Sequence, residues 1–323
     1  MHIIKLPELE AHLTPDLVIE AVRAALIEHA QGGVVSPPPG QLVFDHPPGD
    51  CHIKFGRFRR GDTFVIKVAT GFYENPRSGL PVNNGLILVF DARTGAPKAL
   101  LEDQGFLTSW RTAAAGVLAA RAGAPSRASV LGVMGTGHQA RLQARWVARA
   151  LGISAVRIHG RSLIRAERLA NELRESGLQA AVSQSIEALL EECRLVITCT
   201  ASTAAILPSD AVHPGTHIVA LGADTPGKQE LDPRIFARAT VIMTDDLSQC
   251  VDHGDLSHAI NQGLVSADAA VALGDVLSGR CPGRRAPHDI TVADLTGIAA
   301  TDIAIATLAL GRIDSVPSPA SPS

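Results

Sequence analysis

Two short stretches of the chain carry residue types at a spacing that could do chemistry. The first is Gly135-Thr136-Gly137-His138-Gln139-Ala140. It follows the apolar run Ser129-Val-Leu-Gly-Val-Met134 and opens a segment in which Leu142, Trp146 and Ala150 share one helical face. A Gly-x-Gly-x-x-Ala pattern is weak alone, but between a strand and a helix it has a mechanism. Gly135 permits a tight turn, Gly137 lets a phosphate approach the backbone, and Ala140 lets the helix lie close to the strand. The N–H groups that a helix start leaves unpaired favour an anion, here the pyrophosphate of a dinucleotide.

The second stretch is Gly160-Arg161-Ser162, at the end of the apolar run 155–159. An Asp or Glu at this position usually accepts from the adenosine ribose of NAD. Val156-Arg-Ile-His159-Gly160-Arg161-Ser162 supplies no carboxylate. Gly160 leaves room, Arg161 can pair with a 2′-phosphate and Ser162 can hydrogen-bond it. NADP(H) is therefore the preferred cofactor, with NAD(H) as the alternative. The plain reading makes Arg161 a solvated residue at a helix start.

These residues need a scaffold. After Pro125, strand candidates at 129–134, 155–159, 179–182, 195–199, 217–221 and 240–244 alternate with helical candidates at 139–150, 164–176, 186–192 and 233–237. Such alternation with short loops implies an α/β fold, a Rossmann-type doubly wound parallel sheet. The first part of the chain differs. A helix over 14–30, with Thr14 as its cap and Pro15 in its first turn, precedes short β-rich runs at 41–44, 51–56, 63–69 and 85–91. They predict a mixed or antiparallel sheet in a separate α+β domain. The stretch 71–85 reads as a hairpin loop in which Tyr73 or Asn83 could border a pocket, and 103–121 as a helix capped by Thr108 or Ser109. A last helix starting at Thr296 or Gly297 and ending at Leu310 is apolar on several sides, so it is expected to pack back on the first domain. The expected division is 1–125 with 296–315, then 126–295, then a Pro/Ser-rich tail at 316–323 that reads as disordered.

Composition narrows the partners. Hydrophobic residues at 46% and charged ones at 19% suit a chain with a large core. A net charge of −3 without a basic face, and aromatics at only 3%, argue against nucleic acid. No apolar run reaches the length of a membrane span, and the N-terminus lacks the pattern of a signal peptide. The five cysteines are scattered, so neither a disulfide framework nor a zinc site is expected, and a cytoplasmic location is. His253 and His258 have no metal-ligand spacing, so no metal is expected. The stretch 252–256 reads as a loop near the cofactor, and no serine stands in a nucleophile elbow.

Several collinear segments together resemble the ornithine cyclodeaminase/μ-crystallin family. They are Phe64-Val-Ile-Lys67-Val, Leu107-Thr-Ser-Trp-Arg111-Thr-Ala-Ala, the glycine turn itself, Leu221-Gly-Ala-Asp224-Thr-Pro-Gly-Lys228-Gln-Glu-Leu and Leu295-Thr-Gly-Ile-Ala-Ala-Thr-Asp302. The resemblance spans residues 5–312. It implies a first domain, completed by the last helix, that binds a small amino or imino acid and builds a homodimer, and a second domain that binds the cofactor. By motif position, Lys67 and Arg111 would face the substrate carboxylate and Asp224 would be the acid/base, with Thr296 beside the substrate. Gly135, Thr136, Gly137, His138, Gln139, Thr200, Ile218 to Leu221 with Ala220 among them, and Lys228 would contact the cofactor.

The chemistry agrees with those roles. A carboxylate substrate needs fixed cations, and Arg offers a bidentate fork. Interconverting an amine and an imine needs a group that exchanges a proton with the nitrogen. Plain alternatives exist: Lys67 could snorkel from an edge strand, Arg111 could form a salt bridge within its helix, and Asp224 could cap a turn. At one place the chain departs from the family. Many members carry an Arg after a proline in the first strand region, but Pro37-Pro-Pro-Gly40-Gln41-Leu has none. Lys54, one strand on, either replaces it or is a surface lysine, which leaves the substrate's identity open, ornithine's in particular. The family implies three activities: NADPH-dependent reduction of a cyclic imino acid such as Δ1-pyrroline- or Δ1-piperideine-2-carboxylate, ornithine cyclodeamination with bound NAD, and ligand storage without catalysis.

Overall fold

A computed structural model of the chain describes residues 1–72 and 74–315. Tyr73 and the tail 316–323 lie outside the described residues. The chain divides into two compact units, Met1–Arg111 with Ile298–Ser323, and Thr112–Gly297. The first division falls inside a helix, whereas the sequence placed it at residue 125. The reason lies in that helix's own bonds. Arg111 is held by Asp302 of the first unit, while the Thr112 and Ala119 carbonyls accept from Gln143 and His217 of the second.

In unit one, β1 (His2–Lys5), α1 (Leu6–His12) and α2 (Pro15–Ala30) come first, followed by β2 (Val34–Val35), β3 (Gly40–Phe44), β4 (Gly49–Phe58), β5 (Thr63–Phe72), β6 (Asn83–Asp91), β7 (Pro97–Glu102) and α3 (Phe106–Gly123). The seven strands form one sheet in the order β1-β7-β6-β5-β4-β2, with β3 also on β4. Thr14 caps α2, its hydroxyl accepting from Leu17 N at 3.4 Å. Thr108 and Ser109 do not cap α3. They lie within it, and the Asp103 carboxylate takes the Leu107 amide at 2.8 Å instead. Burial alternates along β5, so Thr63, Val65 and Lys67 share the covered face.

In unit two, the parallel strands are β8 (Val130–Met134), β9 (Ala155–His159), β10 (Gln179–Val182), β11 (Leu195–Thr198), β13 (His217–Ala220), β15 (Val241–Thr244), β16 (Ala270–Ala272) and β17 (Thr291–Asp294), with β12 (Thr203–Leu207) and β14 (Gln229–Leu231) as a small separate pair. Helices α4 (His138–Leu151), α5 (Leu163–Glu175), α6 (Ile186–Glu192), α7 (Arg234–Arg238), α8 (Leu247–His253), α9 (Asp255–Asn261) and α10 (Leu273–Leu277) connect them. The sheet order is β10-β9-β8-β11-β13-β17-β15-β16. Strand order reverses between β8 and β11, and such a switch point opens a crevice at the carboxyl edge. β17 slots between β13 and β15, and its Thr291-Val-Ala-Asp294 holds only two apolar residues between polar ends. The last helix, α11 (Ala299–Asp314), returns to unit one and packs on α2, β4 and β5. No helix among the described residues is long and apolar enough to cross a membrane.

Candidate active site

In unit one, three elements converge on one carboxylate. Asp302, in the first turn of α11, accepts from Arg111 Nε at 2.9 Å and lies 2.8 Å from Lys67 Nζ. Lys67 is 2% exposed and Arg111 6%, so this is an interior cluster. β5 is a central strand, flanked by β4 and β6, so Lys67 does not snorkel from an edge. Lys54 is the direct cross-strand partner of Lys67. Directly opposed residues share a face, which puts Lys54 on the side of the cluster. The segment 295–302 contains Asp302 but by itself implies no role for it. Its signal was a lone carboxylate in the otherwise apolar Ala299-Ala-Thr-Asp-Ile-Ala-Ile-Ala-Thr-Leu-Ala-Leu310.

The charges explain one another. Burial pulls the Lys67 ammonium down to about 7, Asp302 pushes it back up, and Arg111 and Lys54 lower it further. Burial alone would raise Asp302, but Arg111, Lys67 and Lys54 together hold it below the usual carboxylate range. Asp103 is raised by burial, against the amides it caps. The basic side chains of Lys67, Arg111 and Lys54 thus meet the carboxylates of Asp302 and Asp103, and a cluster so rich in nitrogen donors suits an anionic ligand.

In unit two, the glycine turn follows β8 as the pattern requires. Gly135 has φ +131°, a left-handed value open to glycine, and an added Cβ would lie 2.9 Å from the Cys199 carbonyl. At Gly137 an added Cβ would meet nothing within 4 Å, so the backbone there faces open space. Gly137 is also the N-cap of α4 and offers no side chain to its first amides. The residues therefore fit a dinucleotide pyrophosphate. His138 and Gln139 begin the helix. Gly160 lets the turn sit against the end of β9, since a Cβ there would lie 2.6 Å from Thr136 Cγ2. Arg161 is exposed, and the Ser162 hydroxyl accepts from Arg165 N at 3.4 Å as the cap of α5. That hydroxyl keeps its own proton for a further acceptor.

The remaining site residues stand in loops at the carboxyl ends of the strands. Glu230, fully buried, gathers two of them. Its Oε1 accepts from Thr200 N at 2.6 Å, and its Oε2 from the Thr198 hydroxyl at 2.7 Å and Gly222 N at 2.8 Å. It thereby ties the loop after β11 to the loop after β13, which carries Leu221 and Asp224. Burial, with Asp255 nearby, raises Glu230 to about 7. It stands inside the segment 221–231 with no role of its own there, because a Glu in a short strand looks like a solvated residue. Ala220 closes β13, its carbonyl accepting from Leu295 N at 3.0 Å. Asp224 is half exposed and pairs with Lys228 at 2.6 Å. His258 lies 3.0 Å from the Lys228 carbonyl. Thr296 is buried, and its amide and hydroxyl both donate to Asp245, so its polar groups serve the loop after β17. Among the described residues no group of three or more His, Cys, Asp or Glu could hold a metal.

The model of the ornithine cyclodeaminase/mu-crystallin family matches residues 2–316. An uncharacterised cyclodeaminase of Sinorhizobium fredii is 38% identical over 297 residues, 91% of this chain and 89% of that protein. An archaeal alanine dehydrogenase dimer with bound NAD superposes with a TM-score of 0.90 at 31% identity, covering 98% of this chain and 96% of that one. Δ1-pyrroline-2-carboxylate reductase of Thermococcus litoralis, in complex with NADH and L-proline, gives a TM-score of 0.90 at 25% identity, covering 97% of each chain.

Proposed function

The chain belongs to the ornithine cyclodeaminase/mu-crystallin family, and from that premise we propose that it is an NAD(P)H-dependent oxidoreductase that reduces the C=N bond of a cyclic imino acid, with NADPH as the preferred reductant. The observation that carries the substrate class is the cluster of unit one, in which the basic side chains of Lys67, Arg111 and Lys54 gather at the buried carboxylate of Asp302. Such a cluster favours a carboxylate-bearing substrate and disfavours the second ammonium of ornithine. It thus supports imine reduction over cyclodeamination.

The nicotinamide would supply the hydride to the imine carbon. Lys67 and Arg111 would hold the substrate carboxylate, with Lys54 in place of the family's missing Arg, and Asp224 would manage the proton on nitrogen. Gly135, Thr136, Gly137, His138 and Gln139 would hold the pyrophosphate, and Thr200, Ala220, Leu221 and Lys228 would line the rest of the cofactor site. NAD and NADH occupy the two structures compared above. Arg161 and Ser162, without a carboxylate beside them, support the 2′-phosphate for this chain. A homodimer in the cytoplasm completes the reading. The test is oxidation of NADPH and of NADH by the purified protein across Δ1-pyrroline-2-carboxylate, Δ1-piperideine-2-carboxylate and L-ornithine. Consumption of NADPH with either imine supports it. Ammonia released from ornithine without net cofactor turnover would replace it with cyclodeamination.

A further inference from the structure

We propose that Asp302 is the positioning residue of the carboxylate-binding cluster. Its contact with Nε aims the Arg111 guanidinium and leaves the two terminal nitrogens to the substrate, while its second oxygen holds the Lys67 ammonium in place. This rests on the reading that Lys67 and Arg111 take the substrate carboxylate.

The geometry is one of division. A guanidinium has two edges, and a carboxylate that took both terminal nitrogens would block the fork. Asp302 instead meets Nε at 2.9 Å, the nitrogen nearest the side-chain stem. Its other oxygen lies 2.8 Å from Lys67 Nζ and has no hydrogen bond besides that ion contact. The three residues come from α11, α3 and β5, elements far apart in sequence, so Asp302 also fixes where two substrate-facing cations stand relative to each other. Its side chain is 2% exposed, so solvent does not compete for the contacts.

The charged groups facing Lys67 are Asp302 from α11, Arg111 from α3, Lys54 from β4 and Asp103 ahead of α3. The first raises its proton affinity, and the two cations oppose it. With Asp302 neutral, burial and two cations would act on Lys67 with only Asp103 left to offset them. A residue that merely filled space would not have this effect.

The experiment is NMR titration of lysine 13Cε signals in the wild-type chain and in Asp302→Asn, with Lys67→Arg to identify the resonance, alongside kinetics with Δ1-pyrroline-2-carboxylate and NADPH. Asp302→Asn is expected to lower the Lys67 midpoint by about one pH unit or more and to raise KM for the imino acid about tenfold or more, with KM for NADPH unchanged. Asp302→Glu keeps the charge but displaces it by a methylene. Its Lys67 midpoint should stay near wild type while KM for the imino acid still rises. An unchanged Lys67 midpoint in Asp302→Asn, or an unchanged imino-acid KM in both variants, overturns the proposal. If Asp302→Asn does not fold, Asp302→Glu decides: wild-type kinetics there overturn it. If the wild-type chain reduces no imino acid, the reading of function fails, and the NMR titration still decides the role of Asp302.

Discussion

Asp224 and Lys228 meet at 2.6 Å, four residues apart in the loop that follows β13. The family resemblance implies a proton for the one and the cofactor for the other, and here they pair with each other. The Asp224 side chain is 50% exposed, and an ion pair so placed contributes only about 0–1 kcal/mol. Either residue can therefore exchange its partner for a ligand at little cost. Asp224→Asn is expected to lower kcat for imine reduction about 10²- to 10⁴-fold. Its melting temperature should hardly move, since surface substitutions stay within about 0.5 kcal/mol. Unchanged kcat on each imine that the wild-type protein reduces would remove Asp224 from the proton transfer.

Arg161 tests the proposed preference for NADPH. It is exposed just after β9, and no ion pair holds it among the described residues. A charge-assisted bond to a 2′-phosphate is worth about 1.5–3 kcal/mol, so Arg161→Ala should raise KM for NADPH about 10- to 100-fold and leave KM for NADH nearly unchanged. Equal losses with both cofactors would show that Arg161 does not read the phosphate.

His217 gives the fold a pH dependence of known sign. It is fully buried between Ala119 O at 3.0 Å and the Thr291 hydroxyl at 2.8 Å, and burial pushes its pKa down to about 4. An unfolded histidine titrates near 6.5. Between those values the unfolded chain binds a proton that the folded chain refuses. The contribution to stability is thus full above about pH 6.5 and falls away as pH drops toward about 4, by about 3 kcal/mol in all. The raised carboxylates Glu230 and Asp255 act in the opposite sense, so the comparison with His217→Gln isolates the effect. In chemical denaturation from pH 7 to pH 4, the stability of the wild type minus that of the variant should fall by about 3 kcal/mol. Parallel profiles would refute the assignment.

How much of this was legible in the chain depends on how local each signal was. The turn at Gly135 and Gly137 was legible because a strand, a turn and a helix lie within about twenty residues, and each glycine has its own local reason. The strand alternation was legible too, but β17 was not: Thr291–Asp294 has only two apolar residues between polar ends, and it pairs with β13 and β15, which the chain reaches from far away. Lys67 and Arg111 were found through motifs. Asp302, which pairs with both, is 191 residues from Arg111, and no local pattern reports such a distance. The cap of α3 was misplaced because Thr108 and Ser109 have good capping chemistry, yet Asp103 comes first and ends in a turn with Gln104 at φ +52°.

The open face of β3 bears on assembly. All five residues of the strand are exposed, with Leu42 at 58% and Val43 at 69%. Phe44 and, on β4, Phe55 add to the apolar surface. Exposed apolar strands of this kind are normally covered by a partner. Leu42, Phe44 and Phe55 share one side of the sheet, so a homodimer built on this face should dissociate in Leu42→Glu, seen as a halved mass by light scattering. A variant that keeps the wild-type mass would place the dimer contact elsewhere, and a monomeric wild type would end the dimer reading.

Glu230 offers a test of the loops proposed to hold the cofactor. Its two oxygens receive three donors, from Thr198, Thr200 and Gly222, and the two amides among them belong to the loops after β11 and β13. The loops lie so close that a Cβ on Gly222 would stand 2.2 Å from the Thr200 carbonyl. A glutamine at position 230 would keep one oxygen and turn an NH₂ group toward a donor that needs an acceptor. A buried donor left unpaired costs about 1–3 kcal/mol. The strain should appear at the loops, as a rise of about 5- to 100-fold in the Kd for NADPH, together with a lower melting temperature. Ligand fluorescence measures the first and thermal melting the second. A lower melting temperature with NADPH binding within twofold of wild type would mean that Glu230 supports the fold without shaping the cofactor site.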